Sequence, residues 1–266
     1  MTGFVCRACA TQYAESSEPP VRCPICEDER QYVGAGGQQW TTLDELAGAH
    51  RCDVREDAGY LGVGVEPSFA IGQRLLLAET PEGNVLWDMI PLVDAAAVEA
   101  VRARGDVSAI AISHPHYYSG MVEWSNALGG VPILLHEADR EWIMRPDPAV
   151  ELWSGDEQEL PGGLTLLRLG GHYPGGTVLH DANTSTLLSG DIVMVIPDRR
   201  FVSFMWSYPN LIPLPAAEVL RIADVLEPWP FDRILGAWWD RLVPQNGNEV
   251  VRRSAERYAA RLTSPA

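Results

Sequence analysis

Four cysteines near the N-terminus stand in two C-x-x-C pairs. Cys6 and Cys9 form the first pair, Cys23 and Cys26 form the second, and residues 10–22 separate them. Each pair can place two sulfur atoms on one turn, so that two turns close a tetrahedron of thiolates around one ion. Tetrahedral sulfur suits zinc, and in so short a segment a metal replaces the hydrophobic core that cannot form. We therefore predict a structural zinc site in a small zinc-ribbon module.

The second cysteine pair also resembles the knuckle of rubredoxin, which holds iron. The glycines that usually follow such knuckles are replaced by Ala10 and Glu27, which favours zinc over iron. Two disulfides are a third alternative, although paired cysteines in a reducing compartment more often bind metal. The fifth cysteine, Cys52, is expected to be a small buried residue and not a nucleophile.

Three histidines and one aspartate follow short apolar runs further along the chain. His114 and His116 come after the run VSAIAIS, His172 lies in the segment GGHYPG, and Asp191 ends the segment LLSGD. Side chains at strand ends and on glycine loops can converge on one ion, and imidazole with carboxylate suits a transition metal. We therefore predict a second metal site, against the alternative that these histidines are only polar loop residues.

This ordered set resembles the metallo-β-lactamase superfamily, in particular its glyoxalase II-like and lactonase-like branches, over roughly residues 74–243. The resemblance implies an α/β fold in which two β-sheets are sandwiched between helices (αββα), with metal ligands on loops at one edge. His114 and His116 match the first two histidines of the family motif H-x-H-x-D-H, His172 matches the histidine of G-H-T-P-G, Asp191 matches the bridging aspartate of S/T-G-D, and Asp88 matches an aspartate that supports the site from behind the ligands.

The sequence departs from the two-metal pattern of this family at three positions. Tyr118 and Ser119 stand where the motif has its aspartate and last histidine, and Trp238 stands where the family's final histidine aligns. The main ligands of a second metal are therefore absent. We expect one metal, held by the three matched histidines, with Asp191 as a fourth ligand or as the partner of a bound water.

One metal on neutral imidazoles lowers the pKa of a bound water toward about 7 and polarises a carbonyl group. Our first hypothesis is therefore a mononuclear zinc hydrolase of a small ester, thioester, lactone or related substrate. Asp191 is the better candidate for a catalytic base. Tyr118 is the other candidate, and its usual pKa of about 10 makes it a weak base.

Two other functions remain open at this point. The persulfide dioxygenase branch of the same family uses two histidines and a carboxylate with iron, so an iron oxygenase of the same fold is one alternative. A noncatalytic protein that binds a partner is the other, because the ligands of a second metal are missing.

The elements that position these residues are predicted to form one larger domain over residues 40–266, after a cysteine module and connector over residues 1–39. Apolar runs, turn residues and helical periodicity mark its strands and helices. The predicted strands cover residues 74–79 and 84–89 as a hairpin, then 107–113, 131–135, 164–169, 177–180 and 185–188, and the predicted helices cover residues 94–104, 137–144, 215–226 and 249–262.

Composition narrows the range of partners. The chain has 36 acidic and 20 basic residues, a net charge of −16, which repels polyanions over about a Debye length, about 8 Å in physiological salt. We therefore expect a small-molecule substrate and no nucleic acid.

No apolar run approaches the length of a membrane span, and the first twenty residues lack the pattern of a secretory signal. We therefore expect no membrane partner and a cytoplasmic protein. A homo-oligomer stays open, because the apolar segment 200–214 can serve as substrate pocket, core or subunit contact.

Overall fold

The cysteine module is built around a two-stranded sheet. The structure, a computed structural model, describes residues 2–263. Strand β1 (Phe4–Cys6) pairs antiparallel with β2 (Trp40–Thr42), and the one-turn helix α1 (Pro24–Glu27) lies between them in the chain. The division of the chain after residue 39 stays a prediction, and by its pairing β2 belongs to the small sheet of the module.

The larger part of the chain is built on two large sheets, and the first has seven strands in chain order. Its first four strands are antiparallel and its last three join in parallel. The strands are β3 (Arg51–Asp57), β4 (Tyr60–Glu66), β5 (Leu75–Ala78), β6 (Asn84–Trp87), β7 (Val107–Ala111), β8 (Ile133–His136) and β9 (Val150–Trp153). Three helices accompany this half of the chain: α2 (Leu43–Ala49), α3 (Ala95–Arg102) and α4 (Met121–Ala127).

The second sheet has six strands, in which β13 and β18 are parallel neighbours and the other pairs are antiparallel. Its strands are β10 (Glu157–Leu160), β11 (Leu164–Arg168), β12 (Thr177–Asp181), β13 (Thr186–Gly190), β18 (Arg233–Gly236) and β19 (Leu242–Val243). Between β13 and β18 the chain forms two short ribbons, β14 (Met194–Val195) with β15 (Val202–Ser203) and β16 (Met205–Ser207) with β17 (Ile212–Pro213). The helices are α5 (Ala216–Leu226) and α6 (Gly247–Thr263).

Side chains from the inner faces of the two sheets form one core. Tyr60, Trp87 and Trp153 from the first sheet pack with Leu166 and Leu188 from the second. Helices α3 and α4 cover the outer face of the first sheet, and α5 and α6 cover that of the second. The predicted αββα fold with a small four-cysteine module is thus confirmed. No helix among residues 2–263 combines the length and apolar character that a membrane crossing requires.

The predicted elements are present, and several further ones are not foreseen from the sequence. The hairpin forms β5 and β6, and the predicted helix at residues 137–144 is a 3-10 helix over Glu137–Trp142. The sequence does not indicate the long hairpin of β3 and β4, because polar residues dominate β3 and none of its residues is fully buried. Strands β9 and β10 are short, contain charged residues and lie at the edges of their sheets. They also lack the alternation of apolar and polar residues that indicates a strand.

A buried arginine ties the two sheets together. Arg74, just before β5, donates from Nε to Asp57 Oδ2 at 2.6 Å and from a terminal nitrogen to the carbonyl of Gly236 in β18 at 2.6 Å. Its side chain is 1% exposed, so the charge has little access to water. A buried cation of this kind is tolerated only with its counter-ion.

We expect Asp57→Asn to lower the free energy of unfolding by about 3–5 kcal/mol, because the variant leaves the Arg74 charge buried and uncompensated. Glu79→Gln is the matched control, since Glu79 pairs with the partly exposed Arg104 and such pairs contribute about 0–1 kcal/mol. Urea unfolding of the two variants measures the difference. Equal losses in both would show that Asp57 does not compensate the buried charge.

Candidate metal centres

The four cysteines of the module converge as predicted. Their sulfur atoms all lie within 4.8 Å of one another, with Cys6 3.5 Å from Cys26 and Cys9 3.6 Å from Cys23. A tetrahedron with metal to sulfur distances of about 2.3 Å has edges of about 3.8 Å, so the spacing fits one ion. None of the cysteines is in a disulfide, and the two-disulfide alternative is not what the structure forms.

The first cysteine knuckle requires a backbone turn that glycine usually supplies. Ala10 has φ of +64°, in the left-handed region, directly after Cys9. The sequence thus keeps the turn although it replaces the glycine, at a small conformational cost. Gln38 from the connector donates from Nε2 to Cys6 Sγ at 3.1 Å, so residues between the last cysteine and β2 also support the sulfur cluster.

The three predicted histidines meet at one edge of the sandwich. His114 follows β7 in extended conformation, and the 3-10 turn Pro115–Tyr117 brings His116 back toward it. His172 arrives on the loop between β11 and β12. One ring nitrogen from each lies within 4.8 Å of the others, and His116 Nδ1 is 3.2 Å from His172 Nε2. A tetrahedral zinc with bonds of about 2.0–2.1 Å spaces its nitrogens by about 3.3 Å, so this spacing also fits an ion.

Each of the three rings is held from its outer side. With the inner nitrogen free for a ligand, the outer nitrogen carries the proton and donates it. His114 Nδ1 then donates to Ser113 Oγ at 3.0 Å, His116 Nε2 to the Tyr173 hydroxyl at 3.1 Å, and His172 Nδ1 to the carbonyl of Trp206 at 2.8 Å. Such outer contacts fix the tautomer and the orientation of metal ligands.

Asp191 lies close to one of the three histidines, His114. Its Oδ1 lies 3.4 Å from His114 Nε2, yet neither atom has a hydrogen-bond partner within residues 2–263. The carboxylate does not join the three histidines in the set of atoms that all lie within 4.8 Å. Asp191 therefore sits beside the cluster, at a distance that suits a partner of a bound group as well as a ligand.

Asp88 lies behind the cluster, at the end of β6. Its Oδ1 accepts from the backbone N–H of Ser113 at 2.8 Å, so it fixes the start of the segment that carries two histidines. Gly190, with φ of +55°, allows this approach, because a Cβ there would lie 2.8 Å from Ser113 Oγ and 3.2 Å from Asp88 Oδ2. The predicted supporting position of Asp88 agrees with this geometry.

The electrostatics of the cluster favour a bound cation. Burial lowers the pKa of all three histidines, that of His172 to about 4. Burial also raises the pKa of Asp191 to about 7, with a contribution from nearby Asp88. Neutral imidazoles are the form that binds metal, and a cation would stabilise the ionised carboxylate. Within residues 2–263, His114 Nε2 and Asp191 Oδ1 have no hydrogen-bond partner, so both are available to such an ion or to a group bound to it.

The three positions that depart from the two-metal motif are filled by side chains with other partners. Ser119 accepts from Gln73 Nε2 at 3.2 Å and donates to the carbonyl of Met89 at 3.3 Å. Trp238 donates from its indole nitrogen to the carbonyl of Ile71 at 2.7 Å. Tyr118 packs in the core between the first sheet and its helices.

Of the two adjacent tyrosines, the ring of Tyr117, and not that of the candidate base Tyr118, packs against His114. The ring centroids of Tyr117 and His114 are 4.5 Å apart, and burial together with the nearby Asp191 raises the pKa of Tyr117. No hydrogen bond or ring contact among residues 2–263 joins Tyr118 to the three histidines. Burial raises the pKa of the Tyr118 hydroxyl well above its ordinary value, so the hydroxyl stays protonated and is not available to accept a proton.

The aromatic segment 200–214 forms part of the site. Phe204 is fully buried in the core, whereas the carbonyls of Met205 and Trp206 in β16 face His172. Tyr208 donates its hydroxyl to the backbone carbonyl of Asp191 at 2.6 Å. Sequence reasoning did not identify the roles of Tyr173 and Tyr208. Tyr173 directly follows His172, and Tyr208 lies in the apolar segment 200–214; these two positions are the signals that the sequence offers.

Comparisons with known proteins agree with this geometry. Residues 75–244 match the family model of the metallo-beta-lactamase superfamily. The chain is 43% identical to the uncharacterized protein YmaE of Bacillus subtilis (strain 168), over 99% of this chain and 98% of that protein.

Two solved structures share the fold at low sequence identity. FIM-1 from Pseudomonas aeruginosa in its mono-zinc form has a TM-score of 0.58 at 12% identity and covers 78% of this chain and 96% of its own. The chemotaxis sensor ODP as a peroxy diiron species has a TM-score of 0.53 at 18% identity and covers 78% and 94%. The matched region contains the three histidines, Asp88 and Asp191, and the chain belongs to the metallo-beta-lactamase superfamily.

Proposed function

We propose that the protein is a metal-dependent hydrolase of a small ester, thioester, lactone or related substrate, with one metal on His114, His116 and His172. The observation that supports this most strongly is the convergence of three inner ring nitrogens while each outer nitrogen is held by another group. A bound metal there supplies Lewis acidity and an activated water.

Asp191 is the residue that we assign to proton transfer. Its Oδ1 has no hydrogen-bond partner in the described part of the chain and lies 3.4 Å from His114 Nε2, so it can hold a proton of a group bound at the cluster. Tyr208 fixes the backbone of this residue, because its hydroxyl donates to the Asp191 carbonyl. Tyr118 was the second candidate for a base, and its place in the core makes Asp191 the better one.

We further propose zinc for both centres. Four thiolates and a set of neutral imidazoles are both common zinc environments. Iron in the histidine centre is the alternative, since imidazole also suits iron and the structurally similar ODP holds two irons. A noncatalytic role is the third reading, and it is favoured by closure of the site: His114 is 0%, His116 4% and His172 1% exposed.

The metal content of the purified protein tests both centres. We expect two metal ions per chain, with one lost in Cys9→Ala and the other lost in His172→Ala, because each substitution removes a ligand from a different centre. Elemental analysis measures the loss and identifies the metal. His50→Ala is the matched control, since the His50 ring is hydrogen-bonded to the carbonyl of Pro67 and belongs to neither group of metal-capable residues. A histidine variant that kept both ions would contradict the assignment.

Turnover of a panel of esters, thioesters and lactones tests the reaction. We expect His114→Ala combined with His172→Ala to abolish any activity found in the parent protein, whereas His50→Ala retains it. Activity that survives the double substitution would place the chemistry elsewhere. A parent protein that binds both metals but turns over no member of the panel would favour the noncatalytic reading.

Asp191→Asn tests the assignment of the base. The amide cannot accept a proton, so we expect kcat to fall by about 100-fold or more, while the metal of the histidine centre is retained. Asp44→Asn is the control, because Asp44 is exposed on α2. The measurement is steady-state kinetics together with metal content. An unchanged kcat with retained metal would show that another group transfers the proton.

A further inference from the structure

Arg30, in the connector of the cysteine module, lies against the histidine centre. Its side chain is only 7% exposed although it carries a charge. Asp28 accepts two hydrogen bonds from it, at 2.6 Å from Nε and 2.8 Å from a terminal nitrogen. The remaining terminal nitrogen donates to the backbone carbonyl of His172 at 3.3 Å. The connector thus bonds directly to the residue that supplies one of the three rings.

The Arg30 guanidinium also stacks on aromatic rings around the centre. It lies 3.8 Å from the ring centroid of Tyr173, 4.8 Å from that of Trp206 and 5.3 Å from that of Trp142. Partly desolvated contacts of this kind are worth more than exposed ones. Tyr173 is the residue whose hydroxyl holds His116. Arg30 therefore contacts His172 directly and His116 through Tyr173.

A second path joins the cysteine cluster to the same tyrosine. Trp142 packs against the buried cysteines. Its ring centroid also lies 5.8 Å from that of Tyr173, in an edge-on arrangement. The two candidate metal centres are therefore connected by a continuous chain of contacts, from the sulfur cluster through one indole ring to the tyrosine on His116.

The aromatic segment completes the cover over the centre. Asn210, in the turn between β16 and β17, donates from its side chain to the carbonyls of Glu29 at 2.8 Å and Gln31 at 3.2 Å. These two residues flank Arg30 in the chain. The connector is thus held on both sides of the arginine by the same segment that contacts His172 and Asp191.

We propose that Arg30 is a positioning residue through which the cysteine module holds the histidine metal centre closed and its ligands in place. This inference rests on the proposed function only in requiring that the histidines bind a metal. The cysteine module then supports the histidine centre. Loss of Arg30 therefore weakens metal binding at the histidines, although Arg30 is not itself a ligand.

The test compares zinc binding in the full-length parent protein with Arg30→Ala, Arg30→Lys and Arg22→Ala. Competition with a chelator gives the affinity and the release rate of the histidine-centre zinc. Loss of an outer contact typically weakens metal binding about 10-fold to 100-fold, so we expect at least about a 10-fold loss and faster release in Arg30→Ala. Lysine keeps the charge but cannot form the two-pronged contact, so Arg30→Lys is expected to lie between alanine and the parent.

Two controls separate this effect from general damage. Arg22 lies on the same module, has a side chain that is 71% exposed and forms a 3.6 Å ion pair with Glu27, so Arg22→Ala is expected to match the parent. Zinc in the cysteine site is counted separately after chelation, and we expect Arg30→Lys to retain it. The visible spectrum of the cobalt-substituted protein reports the histidine geometry directly, and we expect it to change in Arg30→Ala.

The outcomes are distinguishable. A parent protein with no metal on the histidines would overturn the proposed function and, with it, this inference. Parent-like zinc affinity and release in Arg30→Ala would overturn the role of Arg30 alone and leave the proposed function standing. Loss of zinc from both centres in both Arg30 variants would also overturn it, because the arginine would then only hold the module together.

Discussion

The histidine centre depends on one constraint: three imidazoles are buried together, and their inner nitrogens are left to face one another. A buried ring that lacks a partner on one side must be fixed from the other, or it would turn to find a hydrogen bond. Ser113, Tyr173 and the carbonyls of β16 provide this on three separate elements. The strand end, the glycine loop and the aromatic ribbon are therefore all required for one geometry.

The same requirement explains how the chain accommodates the missing second ligand set. Tyr118, Ser119 and Trp238 do not leave half of a polar site behind. Ser119 and Trp238 bond to backbone carbonyls, and the ring of Tyr118 fills the core. A partly dismantled site would bury unsatisfied polar atoms at considerable cost. Because all three ligand positions of the second metal are replaced, this region is packed and its polar atoms are largely hydrogen-bonded.

The sequence predicts the ligands better than their surroundings. C-x-x-C spacing and histidines after apolar runs are local signals, and they indicate both centres and most of the core strands correctly. Arg30 has no such signal, because its partners His172 and Trp206 are remote in the chain and its own segment has no period. The sequence also does not indicate that Tyr117, and not the candidate base Tyr118, packs against His114, because the 3-10 turn at Pro115–Tyr117 decides which ring faces inward.

The contact between Arg30 and His172 spans 142 residues, which has a consequence for the order of folding. The cysteine knuckles are local and can close as soon as residues 6–26 have left the ribosome. The cover over the histidines requires β16 and the turn that follows it, which are synthesised much later. Contacts of such long sequence separation form slowly. During synthesis, the earlier centre can therefore take up its ion long before the later one is enclosed.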